Sequence, residues 1–155
     1  MSGGSRHKAR EAAVQALYQW QLTQEAPEAI EDHFMLDHEM SEVDVEYFDY
    51  LVREVPLHVH ELDDHLIPHL DRPIDDVDPV ERAILRIGAY ELEFHPEVPY
   101  KVVLNEAVEL SKTFGAEHGH KFVNAVLDLV ADKLRATEKG ANTRHKPGKP
   151  LPDRI

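Results

Sequence analysis

Asp78-Pro79-Val80-Glu81-Arg82-Ala83-Ile84-Leu85-Arg86-Ile87-Gly88-Ala89-Tyr90-Glu91-Leu92 is the stretch whose pattern decides the fold. It opens with a carboxylate at the N-cap, a proline at the first helical position and a glutamate at the third that reaches back toward the cap. Val80, Ala83, Ile84 and Ile87 share one face. Leu85 and Leu92 lie about 150° round from it. A helix apolar on two sides has to be covered on both, so the sequence predicts a central helix with others packed around it. Glu91 falls on the apolar stripe with Val80, Ile84 and Ile87. A carboxylate in that position needs a partner, which favours a paired structural role over a catalytic one.

Working outward, helical spacing continues in both directions and no strand alternation of useful length occurs. Ala13, Leu17 and Trp20, flanked by Val14 and Tyr18, predict a helix over 6–23. Pro27 stops it or opens the next, a short and weaker helix over 27–38. Ser41 is the expected cap of a longer segment in which Phe48, Leu51, Val52, Val55, Val59, Leu62, Leu66 and Leu70 recur at three and four. Pro56 lies inside that stripe and predicts a kink there. The turn at Asp71, Arg72 and Pro73 closes the first half. After Pro96 and Pro99, Val103, Ala107 and Leu110 with Leu104 and Val108 give a fifth helix, with Gly115 as its expected left-handed cap. Phe122, Val123, Val126, Leu127, Val130 and Leu134 give a sixth. From Thr137 onward periodicity is lost, and Pro147, Pro150 and Pro152 with Lys, Gly and Asn predict a disordered basic tail over 137–155. The expectation is an all-α single domain over 1–136, a bundle of two packed three-helix halves at about 6–72 and 76–136.

Length and composition agree with that scale: 155 residues, 42% hydrophobic and 30% charged, suffice for one globular core. The absence of cysteine excludes a disulfide framework, a thiolate metal site and a cysteine nucleophile. No apolar run approaches the ~18 residues that span a bilayer, and Met1 to Lys8 lack the apolar stretch of a signal peptide, so the reading is a cytoplasmic protein.

A formal net charge of −13 argues against a nucleic-acid ligand. Its distribution argues otherwise. Residues 1–10 carry Arg6, Lys8 and Arg10 and no acid, residues 11–100 carry four arginines against 23 acids, and residues 101–155 carry ten basic residues against seven acids. Positive charge is therefore displaced to the two ends of an acidic chain. On charge alone, the favoured reading is a solvated acidic surface with two frayed basic tails.

Few residues carry recognisable chemistry. His65 and His69 have the i, i+4 spacing of a metal pair, but Pro68 lies between them and no glutamate follows the first histidine, so they read as a solvent-facing pair. His118 and His120 flank Gly119 at a helix start and read as polar loop contacts. Asp75, Asp76 and Asp78 lack calcium-loop spacing, and no nucleophile triad, phosphate loop or dinucleotide fingerprint is present. No metal ligand is assigned. In the first helix Arg6 and Arg10 lie on the side of Ala13 and Leu17 while Lys8 points away, giving a helix end ringed with cations suited to RNA phosphates. Phe122 lies at the edge of its stripe beside Lys121 and near Asn124. It is placed either to stack a base or to serve as an ordinary core residue.

The runs Arg10–Trp20, Val80–Leu92 and Val98–Leu110, with Phe114-Gly115-Ala116-Glu117 and His120-Lys121-Phe122-Val123-Asn124, closely resemble the NusB family of bacterial transcription antitermination factors over residues of about 6–135. That resemblance implies an all-α fold of two three-helix halves, no catalytic activity and no cofactor. It implies binding of single-stranded boxA RNA from ribosomal RNA leaders jointly with the small-subunit ribosomal protein NusE, within an antitermination complex on RNA polymerase. By position, Arg6, His7, Lys8 and Arg10 match the family's arginine-rich amino end, and Lys121, Phe122 and Asn124 match the rest of its RNA face. Tyr18, Glu81 and Arg86 fall where the family meets its ribosomal-protein partner. His7 stands where arginine is common and His118 where an acid is common, and the tail past Arg135 has no counterpart. Two other classes remain open at this point: a protein-binding helical adaptor that ignores RNA, and a stand-alone relative of the RNA-binding accessory domain of rRNA methyltransferases, without the methyl-donor motif needed for catalysis.

Overall fold

The computed structural model describes residues 4–144. Eight α-helices follow one another along them: α1 (Arg6–Thr23), α2 (Pro27–Asp37), α3 (Val45–Leu57), α4 (Val59–Leu66), α5 (Pro79–Phe94), α6 (Tyr100–Phe114), α7 (Gly119–Leu134) and α8 (Ala136–Arg144). Short 3-10 turns at Ile67–His69 and Ile74–Asp76 carry the chain from α4 to α5. Among the described residues there is no strand, only an isolated bridge between Ser5 and Val43. The architecture is all-α, and α5 is central: it packs on α1, α3, α4, α6 and α7. Its two apolar faces are both covered, with Ala83, Ile84, Leu85, Ile87 and Leu92 buried. Gly88 sets the approach of α7, since a Cβ there would lie 2.5 Å from Leu127 Cδ1.

Helix starts follow local chemistry. Asp78 accepts hydrogen bonds from Val80 N and Glu81 N, and Pro79 occupies the first turn of α5. Ser5 caps α1 by accepting from Lys8 N, and Pro27 opens α2. The Arg82 guanidinium donates from Nη1 to the carbonyls of Ile74, Asp75 and Val77. This fixes the connection between α4 and α5 against α5.

Four local expectations differ from what is found. Asp44, not Ser41, caps α3 by accepting from Tyr47 N, because residues 42–44 are held by backbone bonds to Ser5 and the helix starts after them. At Pro56 the chain does not merely kink. Proline donates no N–H to the preceding turn, and α3 ends at Leu57, with His58 as a junction before α4. Gly115 is extended at φ −95°, and the left-handed cap belongs to Gln24 at φ 61°, which ends α1.

The fourth difference is α8, which occupies part of the segment expected to be disordered. Arg135 donates to the carbonyls of Glu91, Leu92 and His95 at the end of α5, and Glu138 accepts from Tyr100 N at the start of α6. Lys139 donates to Asp128 and Asp132 of α7. This helix is held by polar groups that satisfy other helices' ends, so it needs no apolar stripe and leaves no periodic trace. The remainder of the expected tail, 145–155, lies outside the described residues.

Candidate nucleic-acid interface

The first turn of α1 presents Arg6 and Lys8 at the surface. Arg6 lies 4.2 Å above the Tyr47 ring and 3.9 Å from Glu97, and Lys8 stands 3.4 Å from Glu11. These are loose surface pairings that a phosphate can replace. His7 is held more firmly. Its Nδ1 is 2.9 Å from Glu106 and its Nε2 3.1 Å from Glu11. The hydrogen bond with Glu106, opposed by burial and reinforced by the charges of Glu106 and Glu11, raises its pKa above the ordinary histidine value.

Arg10 departs from the expectation of a phosphate contact. It is 4% exposed, with Nε 2.9 Å from Glu91 Oε2 and Nη1 3.2 Å from Glu106 Oε1. Tyr47 donates its hydroxyl to the same Glu91 oxygen. Burial opposes the arginine's charge, yet the facing Glu91 carboxylate leaves its pKa above the usual value, and burial with Glu91 pushes the Tyr47 phenol far up. The cation is matched inside the protein and is not presented to solvent. Glu91 is the paired structural carboxylate that its place on the stripe predicted.

The second group gathers at the start of α7. Lys121 and Asn124 are exposed, and Phe122 is half-buried against the core. The Arg72 guanidinium lies 5.0 Å over the Phe122 ring. Sequence reasoning missed Arg72, whose only visible signal was its isolation as a cation among acids. His118 is exposed and precedes Gly119, where a Cβ would fall 2.0 Å from Glu81 Oε2. Glu81, assigned by the resemblance to the partner-binding surface, is 6% exposed. Burial and the nearby Asp78 raise its pKa, partly offset by Arg72.

The two cationic groups do not form one cluster. Arg10 touches Glu91 and Gly119 touches Glu81, so they sit at opposite ends of α5, about 15 Å apart along its axis at 1.5 Å per residue. The partner-binding candidates are also distributed. Tyr18 is 39% exposed on α1. Arg86 is buried, donating to both Asp63 oxygens at 2.9 and 2.8 Å and to Gln21 Oε1 at 2.9 Å. Glu81 and Arg86 lie about 140° apart round α5, so they cannot meet the same flat surface. Gln21 also donates to Pro79 O, which brings the Tyr18 flank of α1 beside the start of α5.

His65 is likewise not solvent-facing. It points to α5, with Nε2 3.1 Å from Glu93 Oε1.

A sequence model of the NusB family matches residues 7–132. The chain belongs to the NusB family. It is 58% identical over 133 residues to the transcription antitermination protein NusB of Nitrosococcus oceani, covering 86% of this chain and 89% of that one. With the NusB of Idiomarina loihiensis it shares 51% identity over 139 residues, 90% of this chain and all of the relative. The fold superposes on T. maritima NusB with a TM-score of 0.74 at 27% identity, over 88% and 97% of the two chains. It superposes on the NusB of a crystallised NusB–NusE complex with double-stranded RNA with a TM-score of 0.70 at 32% identity, over 81% and 94%. The NusB match spans all of α2 to α6 and both candidate groups except Arg6, and it ends before α8. No helix of the described residues is long and apolar enough to cross a membrane.

Proposed function

We propose that this chain serves transcription antitermination by binding boxA-type RNA of ribosomal RNA leaders together with the ribosomal protein NusE, as part of a complex on RNA polymerase. The observation that carries this reading is the shared fold and 32% identity with the NusB found in complex with NusE and RNA. Arg6, Lys8 and Lys121 supply exposed cations for phosphates, and Asn124 and the edge of Phe122 offer an amide and a ring to a base. Arg10 acts as a positioning residue, anchoring the helix that carries Arg6, His7 and Lys8. Tyr18 supplies exposed aromatic surface to NusE, and Arg86, bonded to Gln21 of the same helix, supports it from beneath, while Glu81 acts from another face of α5, against α7. The chain works by binding rather than catalysis, in the cytoplasm.

A co-elution experiment tests this reading. The chain, NusE and a labelled boxA strand are mixed and separated by size, with a scrambled strand and a boxA duplex in parallel. A ternary peak with the boxA strand and none with the scrambled strand supports it. A ternary peak with the duplex alone moves recognition to double-stranded RNA. NusE binding with no RNA in any peak leaves the protein adaptor as the function.

A further inference from the structure

Away from both cationic groups, three side chains of metal-binding type converge where α4 meets α5. Glu61 and His65 stand one turn apart on α4, Glu93 comes from α5, and one ligand atom from each lies within 4.8 Å of the other two. His65 Nε2 and Glu93 Oε1 are 3.1 Å apart. Zinc bonds of about 2.0–2.2 Å to imidazole and carboxylate set neighbouring ligand atoms about 3.3 Å apart on a tetrahedron. The His65–Glu93 spacing is already close to that edge. Glu61 is half-exposed, paired with His58 at 3.6 Å, and its carboxyl faces Glu93.

Charge points the same way. Glu91 and Asp63 each face a guanidinium, those of Arg10 and Arg86, while buried Glu81 feels Arg72 only through space. Among the described residues no arginine or lysine forms an ion pair with Glu61 or Glu93; the two carboxyls are hydrogen-bonded to each other, with His58 3.6 Å from Glu61 and His65 beside Glu93. Lys133 of α7 reaches Glu93 only through space. A cleft of about 400 Å³ lined by His65, His69, Asp132 and Lys133 opens on the His65 side of the group, and Glu61 and Glu93 do not line it. The imidazole favours a borderline ion such as zinc over magnesium or calcium, which prefer all-oxygen sets.

We propose that Glu61, His65 and Glu93 form a divalent-cation site that binds zinc and ties α4 to α5. The histidine spacing that suggested a metal in the sequence paired the wrong residues: His65 works with the carboxylates, and the third ligand comes from a helix 28 residues away.

The test is calorimetric titration of chelator-treated full-length protein with zinc chloride, paired with thermal melts. The expected result is one saturable equivalent in the parent and, at about a hundred times its Kd, a Tm rise of about 5–10 °C. Glu61→Gln and His65→Gln should each weaken that equivalent about tenfold or more. Glu61 is half-exposed, so its variant keeps the test valid even where His65→Gln fails to fold. No saturable binding up to about 100 µM zinc overturns the proposal. So does a folded variant of either kind that binds as tightly as the parent, which would assign the ion to other histidines.

Discussion

Arg10 on α1 and Glu91 on α5, 81 residues apart in sequence, meet inside the protein with Nε 2.9 Å from Oε2. Arg10 is 4% exposed and Glu91 1%. With Tyr47 of α3 bonded to the same carboxylate, three helices are fixed at one point. The direction in which α1 projects Arg6, His7 and Lys8 follows from that anchor. Replacing Arg10 by methionine leaves Glu91 buried without its cation and should destabilise the fold by about 3–5 kcal/mol. Urea denaturation measures this. In the fraction that remains folded, RNA affinity should fall because the anchor that aims Arg6, His7 and Lys8 is gone, while Arg10 itself, buried against Glu91, offers no charge to solvent.

Tyr18 and Arg86 should separate in the opposite sense. Tyr18→Ala removes an exposed ring and should lower NusE affinity by about 1–2 kcal/mol with little change in Tm. Arg86→Met strands Asp63, which it contacts through two hydrogen bonds, and should lower stability by about 3 kcal/mol or more. Equal loss of partner affinity and unchanged melting in both variants would place Arg86 at the surface of contact.

Gly119 packs closely on the Glu81 carboxylate. An alanine Cβ would sit 2.0 Å from Glu81 Oε2, so Gly119→Ala should cost about 1–3 kcal/mol of stability through overpacking at the α5–α7 contact. A melt within a degree of the parent would show that Glu81 swings clear.

A pH effect follows from Glu31 on α2. Burial, with the facing Asp49 carboxylate, pushes its pKa up to about 7 from 4.5, against the pull of Arg53. The folded state therefore holds a proton that the unfolded chain has released, and the stability from this group is lost as pH rises between about 4.5 and 7. Glu31→Gln should flatten that decline, by about 1–3 kcal/mol across the window. A parent whose stability rises over the same range contradicts the assignment.

The helices were legible where they bury an apolar stripe: α1, α2 and the two-faced α5 lie where spacing placed them. What escaped the sequence was held by polar groups. The α8 helix is attached through Arg135, Glu138 and Lys139 to other helices' ends, and such contacts have no period. The same reason hid the inward turn of Arg10. Its helical position placed it with Ala13 and Leu17, on the core side, and Glu91 was recognisable as a buried carboxylate needing a partner. Only the fold could show that each was the other's partner. Arg72 over Phe122 joins a turn to a helix 50 residues on, a pairing no local pattern records.

The central claim is that exposed cations at two separated places on this acidic protein hold RNA phosphates. It is tested most directly by the salt dependence of boxA RNA affinity, read by fluorescence anisotropy in the presence of NusE. Arg6, Lys8 and Lys121 as three contacts at ~0.7 each on a single strand predict a logarithmic slope from this chain of about −2, reduced by somewhat under one unit in Lys8→Ala. NusE's own contribution is held constant by comparing the variants of this chain with one another. A slope identical in the parent, Lys8→Ala and Lys121→Ala would contradict the account, because the phosphates would then lie elsewhere.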